Sequence, residues 1–161
     1  METDIINGRK LFVTDVSFER AYFGRTEVCA DDLEGEWARL SSAVEAAGGI
    51  LTGRSVTATF GRKNDGGKII ADIDIWIEVK NDAGEAEGFY KKPFFVKNAV
   101  CTELENEEDD LLCAEDTVAS YILEKHLVAS TPAFLLQDDN TGKVHLIVGT
   151  DGKRKTKVTV V

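Results

Sequence analysis

The sequence predicts an α+β fold in which one antiparallel sheet carries two helices on one face. Three observations predict this class. One stretch alternates regularly between aliphatic and mostly polar residues, and two stretches place apolar residues at helical spacing. Each helical stretch is followed by two strand-like segments joined by a glycine-containing turn. Because two amphipathic helices can cover one face of a sheet, a duplicated β-α-β-β order is the most economical packing for this chain.

Length and charge limit the classes of function. The chain has 161 residues, 43% of them hydrophobic, and a formal net charge of −10 from 29 acidic and 19 basic side chains. Such a length fits one domain, or two small lobes that share a core. The acidity argues against nucleic acid as a partner, because phosphate backbones bind basic surfaces. No stretch is long and apolar enough to span a membrane, and Met1–Lys10 lacks the apolar core of a signal peptide. We therefore expect a soluble, cytoplasmic protein that binds neither nucleic acid nor membrane.

The first repeat begins with a strand and a helix. Asp15–Ala30 is rich in β-branched and aromatic residues and predicts one long strand. Leu33–Ala47 predicts a helix that Asp31 or Asp32 caps and that the following glycine pair ends.

A hairpin completes this repeat. Arg54–Phe60 and Ile69–Val79 predict its strands, because apolar and polar residues alternate in both. Lys63–Gly67 predicts the turn, since asparagine, aspartate and glycine favour the positive φ that a tight hairpin needs.

The second repeat follows the same order. Its strand, helix and hairpin are predicted at Phe94–Leu104, Leu111–Lys125, Pro132–Gln137 and Lys143–Thr150. Lys155–Val161 predicts an extra strand at the end.

The chain is thus predicted to be one domain, residues 1–161, made of two pseudo-repeats. These cover about 12–80 and 89–150, and the polar segment Lys80–Gly88 joins them. The extra strand, 155–161, extends the sheet.

The polar face of Ile69–Val79 carries the most suggestive local feature. We expect the aliphatic face of this strand to lie under the helices, so that Asp72, Asp74, Trp76 and Glu78 point outward. An indole among carboxylates suits a flat or cationic small molecule. The alternative is that Trp76 packs under a loop or in a subunit interface.

Two glycine-containing motifs are interpreted as turns. Gly61–Ile69 (GRKNDGGKI) resembles a phosphate loop but lacks the hydroxyl residue after the lysine. Asp138–Lys143 (DDNTGK) begins like a calcium loop but has no glutamate at the bidentate position. We therefore expect no metal site and no cofactor.

Catalytic residues are not predicted. The cysteines, Cys29, Cys101 and Cys113, form no close pair and are expected to be small buried hydrophobes in a reducing compartment. His126 should meet the terminal carbonyls of a helix, and His145 should face solvent or the open sheet face. The carboxylates of Asp72 and Asp74 are interpreted as ordinary outward charges on a strand.

Charge is concentrated in two further segments. Glu103–Asp110 is strongly acidic and predicts either a solvated loop before a helix or a docking surface for a basic protein partner. A basic tail has the opposite sign and could pair with the acidic run of a second copy; it consists of Lys153, Arg154, Lys155 and Lys157.

Three segments carry a family resemblance. They are Trp37–Gly53 (WARLSSAVEAAGGILTG), Ile73–Val79 (IDIWIEV) and Ala119–Phe134 (ASYILEKHLVASTPAF). In this order they resemble the GyrI-like family, which comprises the effector-binding domains of transcription regulators and their stand-alone relatives. The layout is similar to a stand-alone branch found in Gram-positive bacteria.

The resemblance implies a sheet that curves around a cleft between the halves, where flat or cationic compounds bind without being converted, and a homodimer. Regulators of this family place a glutamate in the hairpin after the second helix, whereas Pro132–Asn140 (PAFLLQDDN) has none. Asp74 or Glu78 is the substitute that the other half offers. A GyrI-like hydrolase is the enzymatic alternative.

Two functions stay open on these grounds. The first is a stand-alone effector-binding domain that holds a small planar or cationic molecule with Trp76, Asp74, Tyr22 and Phe134. The second is an immunity or accessory factor that binds a protein through its acidic surface.

Overall fold

A computed structural model describes residues 2–105 and 110–153, and it confirms the α+β class. Within these residues one antiparallel sheet has nine strands in the order β1-β2-β7-β9-β8-β4-β5-β3-β6. The strands are β1 Thr3–Ile6, β2 Arg9–Phe18, β3 Ala21–Cys29, β4 Leu51–Asp65, β5 Lys68–Val79, β6 Tyr90–Lys91, β7 Phe94–Leu104, β8 Leu127–Asp138 and β9 Lys143–Lys153. The helices are α1 Leu33–Ala46, which follows a single 3-10 turn, and α2 Leu111–Glu124.

The chain forms two compact units. Unit 1 contains the described residues of Met1–Val16, Val96–Ala133 and His145–Val161, with α2 as its helix. Unit 2 contains Ser17–Phe95 and Phe134–Val144, with α1 as its helix. Neither helix is long and apolar enough to cross a bilayer, in the part of the chain that the structure describes.

Helix α1 ends as its sequence predicts. Gly48 adopts a φ of 92°, and its N–H donates to the carbonyl of Glu45 at 2.9 Å. The N–H of Gly49 donates to Val44 at 3.0 Å, which completes a Schellman motif. The start differs from the prediction, because Asp32 occupies the N-cap position without a side-chain capping hydrogen bond.

The core of unit 2 lies between α1 and the aliphatic face of β5. Ile75, Ile77 and Val79 pack with Leu40 and Val44, as the alternation predicts. The hairpin between β4 and β5 is also confirmed, since Asp65 pairs with Lys68 across a two-residue glycine turn with positive φ at both positions.

The predicted long strand Asp15–Ala30 is wrong, because the chain forms two strands there. β2 ends at Phe18 and β3 begins at Ala21. The charged pair Glu19-Arg20 interrupts the apolar alternation, and the carbonyl of Arg20 accepts the N–H of Val79 at 3.0 Å. This bond helps seat β3 beside β5, where Ala21 pairs with Glu78.

The polar segment Lys80–Gly88 has no regular structure but belongs to unit 2. Ala86 is buried in its core, and the N–H of Gly84 donates to Ala47 at 3.2 Å. The phenol of Tyr22 donates a hydrogen bond to the carbonyl of Gly84. The extra strand predicted at Lys155–Val161 lies outside the described residues.

The second repeat contains the predicted elements with longer hairpin strands. α2 ends at Glu124, and His126, two residues further on, has a φ of 56° and donates its N–H to Leu123 at 3.2 Å. His145 is half-buried and lies edge-on to Phe12, with ring centroids 5.9 Å apart.

The cysteines are free thiols, but only one is a core residue. Cys101 is buried, and desolvation raises its pKa to about 12. Cys29 is half-buried and Cys113 is exposed, so the prediction of three buried cysteines is wrong for Cys113.

Candidate functional site

The face of β5 that we expected to be open is buried at three of the four predicted positions, whereas Asp72 is exposed as predicted. Trp76 is 9% exposed, Asp74 4% and Glu78 9%. The alternation correctly places these side chains opposite the face under α1, but their predicted exposure is wrong. Strand alternation reports only the side of a sheet, whereas exposure depends on what later packs there.

Aromatic rings cover this face. We call Phe18, Phe23, Trp76, Phe94 and Phe134 the aromatic cluster. The Trp76 ring lies 4.7 Å from Phe23, 5.1 Å from Phe94 and 5.8 Å from Phe134, measured between centroids. Its Nε1 is buried and has no hydrogen-bond partner among the described residues.

The structure brings together three of the four predicted binding residues. Trp76 contacts Phe134, and Asp74 lies two residues away on the same face of β5. Tyr22 pairs with Ile77 and packs in the core beneath α1. Tyr22 therefore lies on the opposite face of the sheet from Trp76, and the prediction that it joins the other three binding residues is wrong.

Guanidinium groups already hold the carboxylates of this face. Arg25 donates to Asp74 from Nε at 2.6 Å and from Nη2 at 3.0 Å. Arg54 donates to Glu78 from Nε at 2.8 Å and from Nη2 at 2.7 Å. These hydrogen bonds raise the pKa of both guanidiniums, and burial partly opposes the shift at Arg54. Asp74 and Glu78 are thus committed to structural pairs.

A bulge in β4 shapes the region beside Glu78. Leu51 pairs with Val79 and Ser55 pairs with Ile77, so three residues of β4 face one residue of β5. Gly53, at the centre of these three, has a φ of 95°. Its carbonyl accepts the N–H of Asp139 at 2.9 Å. The bulge is therefore tied to the turn after β8.

A cavity of about 310 Å³ lies between this bulge and α1. We call it the bulge cavity. Helix α1 lines it with Trp37, Ser41 and Glu45. Arg54 and Glu78 line it from the sheet, and Asp139 from the turn after β8.

The residues that line the bulge cavity include one with an unpaired hydroxyl and two with exposed carboxylates. The Oγ of Ser41 is buried without a hydrogen-bond partner among the described residues. Glu45 and Asp139 are exposed carboxylates at its edge, while the charge of Glu78 is balanced by Arg54. Sequence reasoning missed this site, although Ser41 in the apolar stripe of α1 and a glycine in β4 were available signals.

A metal centre is not found in the described residues, where no group of histidine, cysteine, aspartate or glutamate side chains could hold an ion. In the acidic run, Asp110 pairs with Arg9, whereas Glu103 and Glu105 are exposed. The docking of a basic partner there stays a prediction, and 106–109 lie outside the described residues.

Comparison with known proteins gives a fold likeness without a family. No protein-family model matches the chain, and no curated protein matches it. Among solved structures, the chain is similar to a crystal structure of a hydrolase from Listeria innocua. The TM-score is 0.53 at 7% sequence identity, with 86% of this chain and 91% of that chain covered. The two proteins therefore share an α+β fold.

Proposed function

We propose that the protein is a stand-alone, GyrI-like binding domain whose ligand is a small cation held in the bulge cavity. The observation that carries the proposal is the buried, unpaired hydroxyl of Ser41 in a cavity with carboxylates at its edge. A buried polar group without a partner costs about 1–3 kcal/mol. A ligand that hydrogen-bonds to this hydroxyl would recover that cost.

The strand order supports the duplicated unit that the family resemblance implies. Around α1 the order is β4-β5-β3, and around α2 it is β8-β9-β7. In both, the last strand of the repeat lies between the strand before the helix and the strand after it. A repeated order of this kind is what a β-α-β-β duplication produces.

Charge and ring chemistry favour a cation. Glu45 and Asp139 attract positive charge, and the indole of Trp37 adds an aromatic wall, to which ammonium groups bind by cation–π attraction. The carboxylate of Glu78 is not counted here, because it lies on the opposite face of β5 and already accepts hydrogen bonds from Arg54 and the hydroxyl of Thr52. The cavity volume suits a ligand at the lower end of the usual range of about 300–1,000 Å³.

Calorimetric titration with benzylammonium, whose N–H groups can donate to the Ser41 hydroxyl, tests the proposal, with benzyl alcohol and phenylacetate as neutral and anionic comparisons. We expect binding of the cation alone. Glu45→Gln and Asp139→Asn should each weaken it about two- to fivefold, the strength of an exposed ion pair. Glu34→Gln, on the same helix but outside the cavity lining, is the matched control.

Ser41→Ala and Trp37→Leu probe the cavity walls. Each should weaken binding of the cation while the protein stays folded, which circular dichroism can confirm. Unchanged binding in a Glu45→Gln, Asp139→Asn double variant would remove the bulge cavity from consideration.

A hydrolase is the second candidate, because the structural neighbour carries that name. The bulge cavity offers Ser41 as a nucleophile, but its Oγ has no hydrogen-bonded base among the described residues, and both histidines belong to unit 1. Turnover of p-nitrophenyl acetate that disappears in Ser41→Ala would favour this candidate. Equal rates of p-nitrophenyl acetate hydrolysis by the wild type and the Ser41→Ala variant would argue against a hydrolase.

A further inference from the structure

A second cavity, of about 630 Å³, lies in unit 1 between α2 and strands β8 and β9. Helix α2 lines it with Glu115, Val118, Ala119, Ile122 and Leu123. Their spacing is that of a single helical stripe, which runs for about 12 Å at 1.5 Å per residue. The cavity is therefore elongated along the helix.

Small residues leave this space unfilled. Ala119 of α2 and Ala129 and Ala133 of β8 line the cavity and are themselves exposed, so the cavity is open to solvent, and leucine and valine side chains make up most of the remaining wall. At the edge, Leu123 is 71% exposed and Val128 is 42% exposed. Exposed aliphatic side chains that adjoin an apolar cavity indicate a binding site for an apolar ligand.

One end of the stripe differs in charge. Glu115 is the one charged side chain among the described residues that line the cavity. It occupies the first position of the stripe, and the apolar residues follow over the next two turns of α2. The lining thus presents a negative group at one end and aliphatic surface along the rest.

We propose that this cavity binds one extended aliphatic chain with a cationic head group, with the head group at Glu115. The volume fits a single small molecule, because ligand cavities usually measure about 300–1,000 Å³. Charge complementarity with Glu115 selects the cation over an anionic amphiphile of the same length. The site belongs to unit 1 and is independent of the bulge cavity.

Isothermal titration with octyl-, nonyl- and decyltrimethylammonium, each below its micelle concentration, tests the proposal. Burial of each methylene contributes about 0.8 kcal/mol, so affinity should rise about three- to fourfold per carbon. Octyl sulfate should bind more weakly. The dependence on chain length should persist in the Glu45→Gln, Asp139→Asn double variant, whose bulge cavity has lost its exposed carboxylates, and this separates the two sites.

Variants locate the chain and the head group separately. Ala119→Leu and Ala133→Leu should fill the cavity and abolish binding, whereas Ala46→Leu, at an exposed position of α1, should not. Glu115→Gln should weaken binding of the cationic amphiphile about two- to fivefold, and Asp116→Asn should not.

Three results would overturn the proposal. They are equal affinity for octyltrimethylammonium and octyl sulfate, unchanged binding in both cavity-filling variants, and an absence of binding to the wild-type protein. A change of molecular mass in Ala119→Leu, measured by light scattering, would instead assign the cavity to self-association and would also overturn it.

Discussion

At the scale of single residues, buried charges in this protein are held by hydrogen bonds from guanidinium groups. Glu78 is almost fully buried and accepts two hydrogen bonds from Arg54 and one from Thr52 at 2.7 Å. Removing one member of a buried ion pair lowers stability by more than the intact pair contributes, because the remaining charge stays buried without a partner. We therefore assign Arg54 and Glu78 to holding the β4 bulge in place.

The ion pair between Arg9 and Asp110 should make stability depend on pH. The hydrogen bond from Arg9 is the main cause that lowers the pKa of Asp110, and the backbone N–H of Glu105 adds to it. Because the pKa is lower in the folded state, the pair stabilises the protein above the unfolded-state pKa of about 4 and this contribution is lost as the pH falls through the folded value.

Replacement of Arg9 by methionine tests this dependence. At pH 7 we expect Arg9→Met to lower the free energy of unfolding by about 1–3 kcal/mol, the usual worth of a hydrogen bond to a charged group. The difference from the wild type should shrink towards pH 3. Urea unfolding at several pH values measures both quantities, and Arg62→Met, at an exposed arginine of β4, is the control. A difference that is constant with pH would contradict the assignment.

At the scale of elements, the bulge depends on a glycine. Gly53 has positive φ, and a Cβ built there would lie 2.7 Å from the Asn140 Nδ2 atom. That amide donates to the carbonyl of Thr52 at 2.7 Å, so the same contact ties the bulge to the turn after β8. Alanine at this position would meet both backbone strain and a clash.

Gly53→Ala should therefore destabilise the protein more than Gly66→Ala does. Gly66 also has positive φ, but a Cβ added there would have no atom within 4 Å. Left-handed backbone strain of about 1–2 kcal/mol applies to both variants, and we expect at least a further ~1 kcal/mol at Gly53 from the displaced Asn140. Thermal unfolding of the two variants gives the comparison. Equal losses would show that Asn140 moves without cost.

Local elements could be predicted because their causes are local. The end of α1 requires only a glycine pair. The β4–β5 hairpin requires only alternation of apolar and polar residues and a turn with positive φ. The division of Asp15–Ala30 into two strands was missed. Where such a stretch breaks depends on the strands with which its two halves pair, and these partners are distant in sequence.

The candidate site could be predicted only in part. The side of the sheet that carries Asp74 and Trp76 follows from alternation, but the burial of Trp76 follows from rings contributed by β7 and β8, which are distant in sequence. The bulge cavity depends on a shift in register between β4 and β5. Neither a long-range contact nor a register shift leaves a periodic pattern in the sequence.

At the scale of the whole molecule, the two units share strands. β2, β7, β8 and β9 each contribute residues to both units. Loss of structure in one unit therefore removes part of four strands on which the other unit depends. Separate folding of the units is disfavoured for this reason.

We expect thermal unfolding to be a single cooperative transition. The calorimetric and van't Hoff enthalpies should agree, as they do for two-state domains of this size. Native-state hydrogen exchange should give similar opening free energies for the slowest amides of both units. Two resolved transitions, or clearly different opening free energies, would contradict the expectation.

The two tryptophans differ in burial, so their fluorescence can report on the bulge cavity. Trp76 is enclosed by phenyl rings, and its N–H has no partner among the described residues, so its fluorescence should be blue-shifted. Trp37 is half-buried at the wall of the bulge cavity, where an aqueous quencher such as acrylamide can reach it more readily. A ligand that occupies this cavity should shield Trp37 and leave Trp76 unchanged. A loss of acrylamide quenching at Trp37 alone would thus report that the bulge cavity is occupied, without any added label.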